Sequence, residues 1–214
     1  ANFTAPQLGG FAIREAVKRA GIKPEEIDEI LMGNVLQGGI GQAPARQASI
    51  AARIPNSVSA TTINKVCGSG LKSAMLGQQS IKAGDADIIV AGGMESMTNA
   101  PYILKKARNG YRMGNGEIFD LLIHDGLWDP YGNKHMGNLG EECAKEYKIS
   151  RQQQDEFAKG SYEKSLDAIK SGYFKEAIIP VEVKDRKGNV TLIDTDEEPG
   201  KVNFEKAITL KPVF

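Results

Sequence analysis

"VSATTINKVCGSGLKSAMLGQQSIKAGDADIIVAGG", residues 58–93, is the stretch that decides the fold. It opens on a β-branched run, Val58 to Val66, which reads as a strand. Cys67 and the turn Gly68-Ser69-Gly70 follow. Leu71, Ala74, Met75, Leu76 and Ile81 then make a broad apolar stripe of helix, and Gly84 is its stop signal. "DADIIVAGG" is a short continuous apolar run bounded by turn residues, the pattern of a strand buried on both faces.

The same alternation extends upstream. Ile13, Ala16, Val17 and Ala20 fall at i, i+3, i+4, i+7, one face of a helix that Gly21 caps. Pro24 opens a short helical turn, and "EILMGNVLQ" reads as a strand. Pro44 suits the first turn of a second helix, "APARQASIAARI", whose alanines favour close packing on a sheet. Residues 1–96 therefore read as an α/β layer with a largely parallel sheet.

Beyond "GGMESM" the character changes. Residues 97–140 are rich in Gly, Asn, Tyr and Met with weak periodicity, as expected of functional loops. Two helices follow, "GNLGEECAKEYKI" and one capped by Ser150 with Gln153 at the capping-box position. Gly172 ends the second helix. "AIIPVEVKD" and "NVTLIDT" make a hairpin across "RKGN". We divide the chain into an α/β core, 1–96, and a loop domain, 97–214.

Composition excludes several functions. In 214 residues, 27 basic side chains balance 27 acidic ones, so neither nucleic acid nor an anionic membrane is an expected partner. No apolar run has bilayer length, and no secretory pattern opens the sequence. The two cysteines, Cys67 and Cys143, suit a reducing cytoplasm better than a disulfide framework. His124 and His135 have no cysteine pair near them, so no metal site is expected. The sequence begins without methionine and stops at "LKPVF", so both ends read as boundaries within a longer protein.

A free cysteine usually packs as a small buried hydrophobe. Cys143 takes that reading, beside Glu141, Glu142 and Glu146, which disfavour a thiolate. Cys67 is placed differently, where a strand ends and a helix begins. Unpaired N–H groups and the positive end of the helix dipole favour an anion there, and a thiolate is such an anion. Gly68 and Gly70 leave the backbone open to a substrate. The hydrolase elbow G-x-S-x-G fails because position 65 is lysine. A papain-type site fails at Gly70 and Leu71, and "GSGLKS" is not a P-loop.

"NKVCGSGLKS" resembles the acyl-enzyme signature of the thiolases. "GNVLQGGIGQAPARQAS" resembles the segment upstream of the family's nucleophile, and "AGDADIIVAGGMESMTNAPY" its second signature. "DGLWDPYGNKHMG" resembles the coenzyme-A loop, and "ISRQQQDEFA" and "RKGN" also fit. The likeness runs from about Ala12 to Phe214, nearest to the acetoacetyl-CoA type. It implies the layered αβαβα thiolase fold, with this chain supplying one α/β half and the loop-domain insertion. It implies an acyltransferase that condenses two acetyl-CoA to acetoacetyl-CoA, or cleaves 3-oxoacyl-CoA with CoA. Cys67 would carry the acyl group, and its N–H would form one side of an oxyanion hole.

By the same resemblance Leu127, His135 and Met136 line the pantetheine channel. Arg186 and Phe214 lie near the CoA nucleotide, where a guanidinium suits phosphate and an aromatic suits adenine. Each has a plainer alternative: core for Leu127 and Met136, a structural imidazole for His135, an exposed turn residue for Arg186. CoA enters as substrate or product and no bound cofactor is implied. A homodimer or homotetramer is expected. Residues 103–120 resemble the loop used in tetramer contacts, or are a surface loop.

The family's "GHP" histidine, "CxGGG" cysteine and "NEAF" asparagine do not occur in these 214 residues, nor does the first strand with its "RTP" turn. The chain thus corresponds to the N-terminal half plus the loop domain, and alone is expected to be inactive. Two other functions stay open: a ketosynthase-like condensing enzyme, and a catalytically incomplete CoA-binding or interaction fragment.

Overall fold

The computed structural model describes residues 2–214. They form two compact units, the first ending at Trp128 and the second spanning Asp129–Phe214.

The first unit is built on a parallel sheet of three strands among the described residues. Strand β1 (Glu29–Gly33) lies between β2 (Ser59–Ile63) and β3 (Ile89–Gly93). Glu29 pairs with Ser59 on one side and Ile89 on the other, and the register runs unbroken to Gly33, Ile63 and Gly93. Helix α2 (Pro44–Ala51) carries the chain from β1 out to β2. Helix α3 (Ser69–Ala83) brings it from β2 back across β1 to β3.

Period-2 alternation splits β1 between two faces. Ile30 and Met32 join Ile13 and Val17 of helix α1 (Ala5–Ala20) and Ala45 and Ala48 of α2 in the main apolar cluster. Gly33 turns the other way, beneath Ser69 and Gly70 of α3. Helices α1 and α2 approach closely because Gly10 carries no side chain: a Cβ there would lie 2.7 Å from the Ala51 Cβ. Helix α1 begins earlier than its apolar face suggested. Thr4 and Gln7 form a capping box, and Gly21 closes the other end at φ 68°.

Two expectations are corrected here. The stripe Leu71, Met75, Ile81 does not face the sheet: these side chains are 71%, 48% and 47% exposed. Helix α3 instead buries Ser69, Ser73 and Gly77, at i, i+4, i+8. Small residues let its backbone settle directly on the sheet, and a large residue there would hold it off. A Cβ at Gly33 would lie 2.6 Å from the Gly70 nitrogen. The second correction concerns β3, which is half-buried to exposed along its length, whereas β1 is buried from Ile30 to Gly33. Strand β3 is an edge, and α3 offers it only small side chains.

Residues 97–128 fold with the first unit and not with the segment that follows. Leu121 is buried, its N–H donates to Pro101 O at 3.1 Å, and Tyr102–Ile103 pairs antiparallel with Phe119–Asp120.

In the second unit, helices α4 (Met136–Glu146) and α5 (Arg151–Ser171) form where expected, and Ser150 and Gln153 complete the capping box of α5. Val181–Lys184 and Val190–Ile193 pair as the expected hairpin. Asp185 closes its turn, accepting from Lys187 N and Asn189 N at 2.8 and 2.9 Å. Cys143 departs from its reading as a buried residue: it is exposed on α4, a helix with no buried residue. Among the described residues no helix is long and apolar enough to cross a membrane.

Candidate active site

Cys67 sits in the turn between β2 and α3, at the carboxyl end of the sheet, and is exposed. Open α/β sheets bind ligands outside the carboxyl ends of their strands. The turn is tightly specified. Asn64 Oδ1 accepts from Val66 N at 2.9 Å. Ser69 Oγ accepts from Lys65 N at 2.8 Å and donates to Val66 O at 2.6 Å. Gly68 N and Ser69 N donate to Lys65 O and Val66 O, which starts α3 immediately behind the cysteine.

Between these bonds Val66 is held at φ 47°. That conformation is an outlier for a β-branched residue and persists only where the surroundings over-determine it. It turns the chain sharply enough to present Cys67 at the amino end of a four-turn helix, where the dipole favours negative charge.

Cys67 borders an open depression of about 370 Å³, lined also by Gly33, Asn34, Gly70, Gly93 and Glu95. Glycine at 33, 70 and 93 brings three backbones together at its floor: a Cβ at Gly93 would lie 3.2 Å from the Gly70 Cα.

Asn34 and Glu95 were not singled out from the sequence. Asn34 is 1% exposed. Its Nδ2 donates to Met94 O at 3.2 Å and Glu95 Oε1 at 2.7 Å. Glu95 Oε2 accepts from Val35 N at 2.9 Å, with Leu36 N a longer donor at 3.3 Å. Asn34 Oδ1 is buried without a partner. Turning the amide round would set Oδ1 against two acceptors, Met94 O and the carboxylate, so its orientation follows from chemistry. Leaving a buried acceptor unpaired costs about 1–3 kcal/mol. No local pattern in the sequence marks the pair, whose members lie 61 residues apart.

The remaining expected residues fall into two places. In the first unit Leu127 ends a helical turn, Leu122–Leu127, and is half-buried. In the second unit His135 caps the amino end of α4, its Nδ1 accepting from Gly137 N at 3.0 Å. That bond places the proton of the neutral ring on Nε2. Phe214 stacks on the same ring, centroids 4.7 Å apart and planes 17° from parallel. Gly137 permits this, since a Cβ there would overlap the phenyl ring. Met136 follows His135 and is 42% exposed, so it is not core. The structure thus brings His135, Met136 and Phe214 together. Arg186 stands exposed on the hairpin turn.

Comparison with known proteins gives concordant results. The family model for the thiolase N-terminal domain matches residues 1–214. The acetyl-CoA acetyltransferase of Cupriavidus necator is 50% identical over 215 residues, covering 100% of this chain and 55% of the relative. That of Yarrowia lipolytica is 52% identical over 213 residues, 100% of this chain and 53% of the relative. The Acat5 thiolase of Ascaris suum, solved in complex with coenzyme A, superposes with a TM-score of 0.92 at 39% identity, covering 99% of this chain and 53% of that one. The chain spans about half the length of the curated relatives it matches.

Proposed function

The chain belongs to the thiolase family, as its N-terminal domain, and on that premise we propose that the protein is an acetyl-CoA C-acetyltransferase acting through Cys67. The observation that carries the proposal is the placement of that thiol. It is exposed, on a strained turn, at the amino end of α3 and over a depression at the carboxyl ends of three parallel strands.

In the first step the Cys67 thiolate attacks the thioester carbon of acetyl-CoA. The carbon–sulfur bond to CoA breaks, and the leaving thiolate takes up the proton that Cys67 gave. In the second step the α-carbon of another acetyl-CoA, deprotonated, attacks the acyl-cysteine. Acetoacetyl-CoA forms and the cysteine sulfur is released, taking up in net the proton that the α-carbon lost. Run backwards, the same steps cleave a 3-oxoacyl-CoA with CoA. Dividing the exchange into two acyl transfers lets one sulfur serve as nucleophile and leaving group. CoA is a substrate in this scheme, and no bound cofactor or metal is assigned.

In the second unit we assign His135 and Met136 to the pantetheine arm and Phe214 to the nucleotide end; Leu127, in the first unit, is assigned to acyl-CoA binding. The stack of Phe214 on the His135 ring, with the half-exposed Met136 next in the chain, supports the assignment: apolar surface beside one fixed N–H donor suits coenzyme A. Arg186 is assigned to the nucleotide end on charge alone. The apolar side chains exposed on the loop after Ile103, among them Met113 at 93%, support a homodimer or homotetramer. Two free thiols support a cytoplasmic location.

The test is intact-mass spectrometry of the full-length natural protein incubated with acetyl-CoA. A gain of one acetyl group that disappears in Cys67→Ser is the expected result. No acetyl group on the native protein, or one that survives in Cys67→Ser, overturns the assignment.

A further inference from the structure

We propose that Asn34 and Glu95 form a pair of positioning residues for Cys67, fixing the strand ends against which the cysteine turn is pressed. The inference rests on Cys67 being the acyl-carrying residue.

Asn34 touches all three strands. Its own N–H donates to Ile63 O at 3.0 Å, which ties β1 to the last residue of β2, just before the cysteine turn. Its side-chain Nδ2 reaches Met94 O and Glu95 Oε1 just beyond β3. Glu95 answers by accepting from Val35 N and Leu36 N, so the carboxylate also sets the path of the chain leaving β1. Immediately beneath, the first turn of α3 rests on Gly33 and Gly93 at backbone contact. A shift of β1 or β3 at this end is therefore passed to Ser69 and Gly70. Ser69 Oγ holds Lys65 N and Val66 O, the two residues before Cys67.

The unpaired Oδ1 of Asn34 supports a positioning role over a merely stabilising one. An apolar or smaller residue would avoid the orphaned acceptor. Only an amide presents a donor to both Met94 O and a carboxylate from that position. Glu95 and Asn34 both line the depression that Cys67 borders, so the pair stands close to the reacting sulfur without being assigned any contact with substrate.

The pair is complementary by chemistry, which makes it testable by exchange. Glu95→Gln keeps the volume but sets a second amide donor among three N–H groups. Asn34→Asp sets a carboxylate against a carboxylate. In the double variant Asn34→Asp/Glu95→Gln the amide and the carboxylate have changed places, so the two side chains match again, although Met94 O loses its donor and recovery is only partial. The experiment follows two reactions of Cys67 in the full-length protein by peptide mass spectrometry. One is alkylation by iodoacetamide across a pH series, read apart from Cys143. The other is acetylation by acetyl-CoA over a range of concentrations.

Each single variant should slow acetylation by roughly tenfold to a hundredfold at saturation, the scale on which an ångström of misplacement acts. The acetyl-CoA concentration for half-saturation should stay close to native, and the pH profile of alkylation should move. The double variant should recover part of the rate. Single variants that fold and acetylate within about twofold of native, against that scale, would overturn the proposal. So would a double variant no faster than the slower single, the mark of additive structural damage. Should Asn34→Asp fail to fold, Glu95→Gln carries the test by its saturation rate and pH profile. A native protein that alkylates at Cys67 but never acetylates defeats the acyl-transfer reading instead, and the alkylation profiles still decide the positioning role.

Discussion

At Val66 the chain adopts φ 47° to present its neighbour, and a β-branched residue accepts that angle only under constraint. Relief of such strain is worth about 1–3 kcal/mol, and glycine's own entropic penalty is about 0.5–1 kcal/mol. Val66→Gly should therefore stabilise the protein by up to about 2.5 kcal/mol, read from the midpoint of urea unfolding. The same variant should blur the position of Cys67 and slow its alkylation. Gly33 presents the opposite case. Its missing Cβ is the space that Ser69 and Gly70 occupy. Gly33→Ala should cost about 1–3 kcal/mol by overpacking, measured the same way, and should displace the start of α3. An unchanged midpoint would mean that α3 does not lie on β1 so closely.

Asp28 shows how one carboxylate holds an element at its entry. It accepts from Ile88 N at 2.9 Å and Asp87 N at 2.8 Å, ahead of β3. Those two backbone bonds, Ile88 the larger, hold its carboxyl below the usual aspartate value. A group with a depressed folded value contributes its stability in full above the unfolded value and loses it as pH falls through the folded one. Asp28→Asn should thus lower the urea midpoint at neutral pH, and the gap from native should narrow as pH falls below the ordinary aspartate range. A gap that widens in acid would contradict the hydrogen bonds. Asp185 is depressed likewise, by Asn189 first, and the hairpin should loosen in the same direction. Its turn was legible because "RKGN" places a glycine and an asparagine between two alternating runs. Capping boxes at Ser150 and Thr4 obey one rule, yet only the first was read, because the apolar face that marks α1 begins only at Ile13, well after Thr4.

Over the whole molecule the exposed face of α3 is the feature with the widest consequence. Leu71 and Met75, at i and i+4, line one side of a helix whose other side is closed by Ser69, Ser73 and Gly77. Contiguous exposed apolar surface promotes association. Leu71→Glu should reduce self-association of the 214-residue chain, measured by light scattering, while shifting the unfolding free energy by no more than about 0.5 kcal/mol, as for exposed sites generally. A large loss of stability would mean that Leu71 packs within the chain.

Local pattern was enough for the strand–helix alternation, the parallel sheet, the long helices, the hairpin and the cysteine at the head of α3. Those features depend on periodicity, glycine and capping chemistry carried by neighbouring residues, and residues 58–93 display nearly all of them. The face that α3 buries could not be read this way. Hydrophobicity marked Leu71 and Met75, but the sheet accepts whatever lets backbones approach, and only the packed structure shows Gly33 and Gly93 waiting for small partners. Nor could the Asn34–Glu95 pair be foreseen. Its two members are 61 residues apart in the chain and meet because parallel register sets Gly33 beside Gly93. A hydrogen bond between strand ends is decided by register, and register is a property of the folded sheet.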